Sequence, residues 1–254
     1  MEVLYLIIFF ILGVHLGSFY TVVGLRLPKN ENFTTTRSHC DTCGHELSFY
    51  EMIPIISYLV QRGRCRYCHT KIDILALYME FFTGLLFAVS YYSFGFSYEL
   101  LIALGLVSLF MIIVVSDLTY LIIPDEVLIF FSVYFIIVQL LSLGIVGCLL
   151  KIATGIFLFS IMYLIMLIGN KVLKKESLGG GDIKMMFVFG LILDPLLGTL
   201  TIFLGSLFAL PMSLLLLFKN KEKVIPFGPF LLFAALFIYF TKMTPTMITE
   251  WLGF

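Results

Sequence analysis

Long apolar runs broken by short polar connections cover most of the chain, and their lengths set the first expectation. The runs span residues 1–25, 74–93, 98–116, 124–142, 145–169, 183–193, 196–218 and 226–242. About 20 apolar residues cross the ~30 Å hydrocarbon layer as a helix. The pattern therefore predicts an all-α fold, a polytopic membrane protein of about eight transmembrane helices. Residues 183–193 are short, about 16 Å as a helix. A short crossing turned by Asp194-Pro195 is favoured over a re-entrant segment, because re-entry would carry Lys219, Lys221 and Lys223 to the wrong side. The first run has no basic leader region and no clear small-residue cleavage site, so it reads as an uncleaved helix rather than a signal peptide.

Composition agrees. Of 254 residues, 61% are hydrophobic and only 13% charged, against about 25% charged in a soluble domain. The formal net charge is zero, so the placement of charges is what informs. With the N-terminus outside, residues 26–73, 117–123, 170–182 and 219–225 face the cytoplasm. Counting Lys184 at an edge, these segments hold every basic residue except Lys151 and Lys242. That bias follows the positive-inside rule. Three segments result: a first transmembrane helix (1–25), a cytoplasmic loop (26–73) and a membrane domain (74–254).

The loop carries two C-x-x-C pairs, Cys40/Cys43 and Cys65/Cys68. Two such knuckles deliver four thiolates to one tetrahedral zinc ion. Disulfides are the rival reading, but they rarely persist in a reducing cytosol. A loop this short buries little core, so a structural zinc is expected to hold it folded. Four protein ligands leave no open coordination position for catalysis. His39, His45 and His69 lie beside the cysteines and could replace a ligand, but read first as polar loop residues; Cys148 reads as a small buried hydrophobe. The apolar stretch 51–60, "EMIPIISYLV", is too short to cross; it is expected to pack on the ribbon or lie at the lipid interface.

Two acids stand out in this setting. Asp117 ends the third run and Asp182 opens the sixth within "LGGGDIK", 65 positions later. Both fall at the cytoplasmic face, and a carboxylate at membrane depth marks a functional site by default. Two carboxylates a few ångströms apart cannot both ionise easily, so they share a proton. The ionised one takes a proton from water while the protonated one polarises a peptide carbonyl. Gly179, Gly180 and Gly181 allow close backbone approach or positive φ beside Asp182. Helix capping by Asp182 and headgroup contact by Asp117 are the plainer readings of each acid alone. Asp125 reads as a helix N-terminal acid, and Lys184 as a marker of the cytoplasmic side, with pairing to Asp182 or to an acidic substrate group as the alternative. The P-loop pattern is missing, and no nucleic-acid partner is expected.

The order of motifs resembles the prepilin peptidases, or type IV leader peptidases. "GSFYTVVGLRLP" (17–28), the C-x-x-C pairs, "IPIISYL", "LYMEFFTG", "SDLTYLIIPD", "LGGGDIK" and "KVIPFGPFL" are similar to that family's signatures nearly end to end. The resemblance implies that Asp117 and Asp182 are the catalytic pair, with Gly179, Gly181 and Lys184 supporting backbone and substrate. It implies removal of a short basic leader from prepilins or pilin-like pseudopilins at the cytoplasmic face of a bacterial inner membrane. It further implies methylation of the new N-terminus from S-adenosylmethionine, with Gly63 and Arg64 matching positions tied to methyl transfer. Pili, type II secretion and competence-type DNA uptake all use such enzymes. Thr21 stands where the family has Asn, and Ala76-Leu77 where Tyr-Pro is expected, both near the loop's anchors. Another G-x-G-D intramembrane protease, or a transporter or scaffold with a structural zinc, is the alternative.

Overall fold

The computed structural model describes residues 1–34, 37–174, 178–218 and 225–251. The expected basic residues Lys175, Lys219, Lys221 and Lys223 lie outside the described residues. The described chain is helical, with no strand beyond isolated bridges. Among the described residues nine α-helices follow in order: α1 (Glu2–Arg26), α2 (Ile56–Val60), α3 (Leu75–Phe94), α4 (Tyr98–Tyr120), α5 (Asp125–Leu173), α6 (Gly180–Ile192), α7 (Pro195–Phe218), α8 (Gly228–Phe240) and α9 (Pro245–Trp251). Five of them, α1, α3, α4, α5 and α7, are long and apolar enough to cross a membrane. The all-α, multi-pass expectation holds. Two compact units, Met1–Phe96 and Ser97–Phe254, divide the chain differently from the three sequence segments.

In the first unit α1 and α3 pack as a close pair on either side of the loop. Their contact is a seam of small residues. A Cβ on Gly13 would sit 2.7 Å from the Thr83 carbonyl oxygen, and one on Gly17 would sit 2.8 Å from that of Met79. Such seams let backbones approach in lipid, where apolar burial alone drives no association. Gly17→Leu is therefore expected to cost about 1–3 kcal/mol by overpacking, read as a lower melting temperature in detergent. The buried Glu80 on α3 accepts the Ile55 N–H at 2.7 Å. This bond tethers the 51–60 stretch, whose Ile55 adopts φ 61, a conformation unusual for a β-branched residue.

The second unit is built around α4, where Ala103, Leu106, Val107, Leu109, Ile113 and Val115 are wholly enclosed. α5 is one helix in name only. Gly144 adopts φ 70, ψ −173 in its middle, and the Cys148 thiol meets the Ile136 carbonyl at 3.6 Å. In a straight helix twelve residues span about 18 Å, so the chain doubles back at Gly144. The two arms occupy the expected runs 124–142 and 145–169. Between them they cap α6: the Gln139 side-chain amide donates to Leu191 O (2.8 Å) and the Lys151 ammonium to Ile192 O (3.3 Å). Lys151 also pairs with Asp194 at 3.0 Å. The other end of α6 meets the start of α5, through Lys184 and Asp125 at 2.6 Å. α6 thus runs alongside the first arm from one end to the other and does not turn back. Pro195 then opens α7, a position that needs no N–H.

Candidate active site

Asp117 lies in the last turn of α4, which closes with Leu121 in the left-handed conformation, its N–H on the Asp117 carbonyl. A carboxylate at a helix C-terminus opposes the helix dipole, so helix formation does not explain it. Asp182 lies in the first turn of α6 after Gly179, the N-cap. The Gly179 N–H donates to its carboxylate, the reach-back of an acid at the third helical position. The capping reading is thus half realised. One oxygen, Oδ2, faces Gly179, while Oδ1 is buried without a hydrogen-bond partner.

That orphaned oxygen faces Asp117. A Cβ placed on Gly228 would lie 2.9 Å from Asp117 Oδ2 and 3.5 Å from Asp182 Oδ1, so one point touches both carboxylates. Both aspartates are buried. The Gly228 N–H, at the start of α8, donates to Asp117. Two helix N-termini, those of α6 and α8, therefore converge on the pair, an arrangement suited to holding one negative charge. Ile123 wedges between these two helix starts, with Cδ1 3.0 Å from the Gly228 point and Cβ 2.7 Å from a Cβ on Gly181.

Several expectations need correction in detail. None of Gly179, Gly180 and Gly181 has a positive φ; where they matter, they do so by close approach, Gly181 to Ile123 and Gly179 to Asp182. Lys184 is engaged by Asp125, with Nζ 2.6 and 2.8 Å from its two carboxylate oxygens, and so ties α6 to α5 rather than standing free. Gly228 had no assigned role in the sequence. Its signal was the Gly-Pro of "FGPF", a proline at the start of a helix with a side-chain-free residue before it.

In the loop, the four cysteine Sγ atoms all lie within 4.8 Å of one another. Cys40 and Cys68 are 3.7 Å apart, Cys43 and Cys65 4.0 Å. A tetrahedron with ~2.3 Å zinc–sulfur bonds has edges of about 3.8 Å, whereas a disulfide needs about 2.05 Å. The two knuckles repeat one plan. Cys40 N–H bonds His45 O and Gly44 N–H bonds Cys40 O; Cys65 N–H bonds Thr70 O and His69 N–H bonds Cys65 O. The fourth residue after each leading cysteine, Gly44 or His69, takes positive φ. The Thr70 hydroxyl, 3.2 Å away, leads in bringing the Cys68 thiol down to about 6. Against the lowering pull of the His45 N–H, desolvation and neighbouring thiols push Cys43 up to about 11. Four sulfurs this close could together hold one metal ion.

The histidines do not join the thiols. His45 packs against Tyr67 with the two rings tilted by 38° and lies 3.5 Å from Glu51, and His39 sits against the Arg37 carbonyl. Gly63 is a backbone device: at φ +66, its Cβ would meet the Tyr58 hydroxyl at 2.8 Å. Arg64, in contrast, lines an open groove beside Cys65.

Fold and site define the class: a multi-pass helical membrane protein with a four-thiol ribbon and two buried aspartates held together by backbone N–H groups. Residues 104–214 match the type IV leader peptidase family, and residues 11–94 match the bacterial peptidase A24 N-terminal domain. Proteins named prepilin leader peptidase/N-methyltransferase are similar over much of their length. The Bacillus subtilis protein is 34% identical over 192 residues, covering 73% of each chain. That of Myxococcus xanthus is 36% identical over 78% of this chain and 59% of its own. That of Vibrio cholerae is 29% identical over 95% of this chain and 98% of its own. No solved structure matches. The chain belongs to the type IV leader peptidase family.

Proposed function

We propose that this enzyme removes the leader peptide of prepilins or pilin-like pseudopilins at the cytoplasmic membrane face and then methylates the new N-terminus. The observation that carries the peptidase half is the buried, unpartnered Asp182 Oδ1 set against Asp117. A water between the carboxylates gives a proton to the ionised one and its oxygen attacks the scissile carbonyl carbon. The protonated carboxyl hydrogen-bonds the carbonyl oxygen as it gains charge. On collapse the C–N bond breaks, and the departing amine takes a proton from the pair. Gly228 N–H and Gly179 N–H hold the two side chains in place throughout. A junction between a basic leader and an apolar helix would present its peptide bond at this depth.

Sidedness rests on charge. The dyad lies at the end of the second unit that also carries Lys171, Lys174 and Lys184, and the positive-inside rule assigns that end to the cytoplasm. The methyl half rests on the relatives' names and on the loop. S-adenosylmethionine supplies a sulfonium-bound methyl group, which an amine accepts with loss of one proton. Cys40, Cys43, Cys65 and Cys68 would hold a structural zinc, a closed set that folds the loop. Elemental analysis should find one zinc per chain. Cys40→Ser should lower that content and expose the 26–73 loop to protease, and metal-free protein with a protease-resistant loop would refute the assignment. The function itself is tested by incubating purified protein with prepilin-like peptides. Both shortening and methyl incorporation are expected; an intact peptide refutes the reading.

A further inference from the structure

We propose that the short helix α2 lies in the membrane at the boundary of headgroups and acyl chains, its apolar side chains in lipid and the arginines that follow it on anionic phospholipid headgroups. The helix is ill suited to water. It has five residues, too few to hold together alone, and Ile56, Leu59 and Val60 are between 59% and 76% exposed. Leaving such side chains in water opposes folding, whereas lipid accepts them.

Glu80 fixes the depth of α2. The 20 residues of α3 measure about 30 Å, the thickness of the hydrocarbon layer. Leu75 therefore marks one edge of that layer, and Glu80 lies about 7.5 Å inside it. The Ile55 N–H, at the start of α2, reaches the Glu80 carboxylate at 2.7 Å, so α2 begins beside α3 and not above its end. From the other helix, the Ser18 side chain hydrogen-bonds the same carboxylate. Ser18 stands about 12 Å inside the end of α1 at Arg26. Helices that lie on a membrane sit about 5–10 Å into this boundary. All of these residues belong to the first unit.

The backbone is prepared for apolar surroundings, where every polar group needs a partner. Pro54 has no N–H to satisfy. The Ile55 N–H goes to Glu80 and that of Ile56 to Pro54 O. Those of Ser57, Leu59 and Gln61 go to the carbonyls of Ile53, Ile55 and Ser57. Ile55 is held at φ 61, a strained state that persists only where neighbours enforce it. Arg62, Arg64 and Arg66 are exposed and share one open groove with Tyr50, Ile56 and Val60. Cations beside an apolar face are what an anionic bilayer surface attracts. A protein partner would also fit the apolar side chains, but at the depth of Glu80 lipid is already the surrounding medium.

The test uses the full-length protein in vesicles of phosphatidylcholine and phosphatidylglycerol. Trp251→Phe removes the single tryptophan, and Leu59→Trp supplies a fluorescent probe on α2. Acyl chains brominated near the headgroup should quench most of its emission, and aqueous acrylamide little of it. Brominated phosphatidylglycerol should quench more than brominated phosphatidylcholine at equal mole fraction, and Arg62→Ala with Arg66→Ala should erase the difference. Glu80→Ala should admit acrylamide, whereas Glu80→Gln, which keeps an acceptor for Ile55, should not. Leu59 is exposed, so its variant stays informative should Glu80→Ala fail to fold. A probe quenched by acrylamide and not by lipid places α2 in water and overturns the proposal. A probe shielded from both places protein against α2 and overturns it equally. Equal quenching by the two brominated lipids in the parent background overturns the contact of the arginines with anionic headgroups.

Discussion

Asp117→Asn and Asp182→Asn should each reduce cleavage of a prepilin-like peptide by at least about 10³-fold, in line with the share of rate that positioned acid–base groups provide. Asparagine keeps the shape and an acceptor for the Gly228 or Gly179 N–H, but it neither takes a proton from water nor gives one back. Folding should not suffer. Two carboxylates that meet at one point gain nothing in stability from their mutual repulsion, so either variant should melt in detergent at the parent temperature or above it. Because the pair acts as a unit, the double variant should be no slower than either single one. Cleavage at near-parent rates by both single variants would show that the peptide bond is hydrolysed elsewhere.

The helices were legible because lipid imposes a simple code. Each apolar run in the sequence coincides with a helix or with one arm of the α5 hairpin. The break at 143–144 was visible, but its hairpin geometry rests on the positive φ at Gly144 and on Cys148 reaching Ile136. For α6 the apolar run opens only at 183, past the glycines and Asp182, whereas the helix itself starts earlier. It begins at Gly180 because Asp182 reaches back to Gly179 and supplies the missing cap. The terminal α9 went unread, being short and only partly apolar.

The site was legible in its acids and not in its supports. A carboxylate beside lipid is conspicuous in a one-dimensional pattern, whereas a glycine whose value lies in what passes close to it is not. Gly13 and Gly17 belong to the same hidden class, since their spacing is periodic but their partners on α3 lie 62 to 74 residues away. Lys184 was ambiguous for a related reason. The partner that decides its role, Asp125, is 59 residues distant, and an exposed pair of this kind contributes alignment more than energy. The thiols were the easiest of all, because metal spacing is local to each knuckle and needs no tertiary knowledge.

Glycines around the dyad should not be equivalent, and their alanine variants separate a positioning role from mere flexibility. Gly228→Ala should be the most damaging. Its Cβ would lie 2.9 Å from Asp117 Oδ2 and 3.0 Å from Ile123 Cδ1, and the backbone that bears it also donates to Asp117. Relief therefore requires moving the carboxylate or the start of α8, and a misplacement of about 1 Å at reacting groups costs about 10²-fold in rate. Gly181→Ala meets Ile123 Cβ at 2.7 Å, an atom fixed to the backbone, so it should push α6 and Asp182 away and slow cleavage by a smaller factor. Gly180→Ala meets nothing within 4 Å. It should cleave like the parent protein and melt slightly higher, since alanine favours a helix over glycine by up to about 1 kcal/mol. The three variants, assayed for rate and melting temperature together, give an order set by contact distance. Equal losses at positions 180, 181 and 228 would mean that backbone freedom, and not the close approach of backbone to the carboxylates, is what the site requires of its glycines.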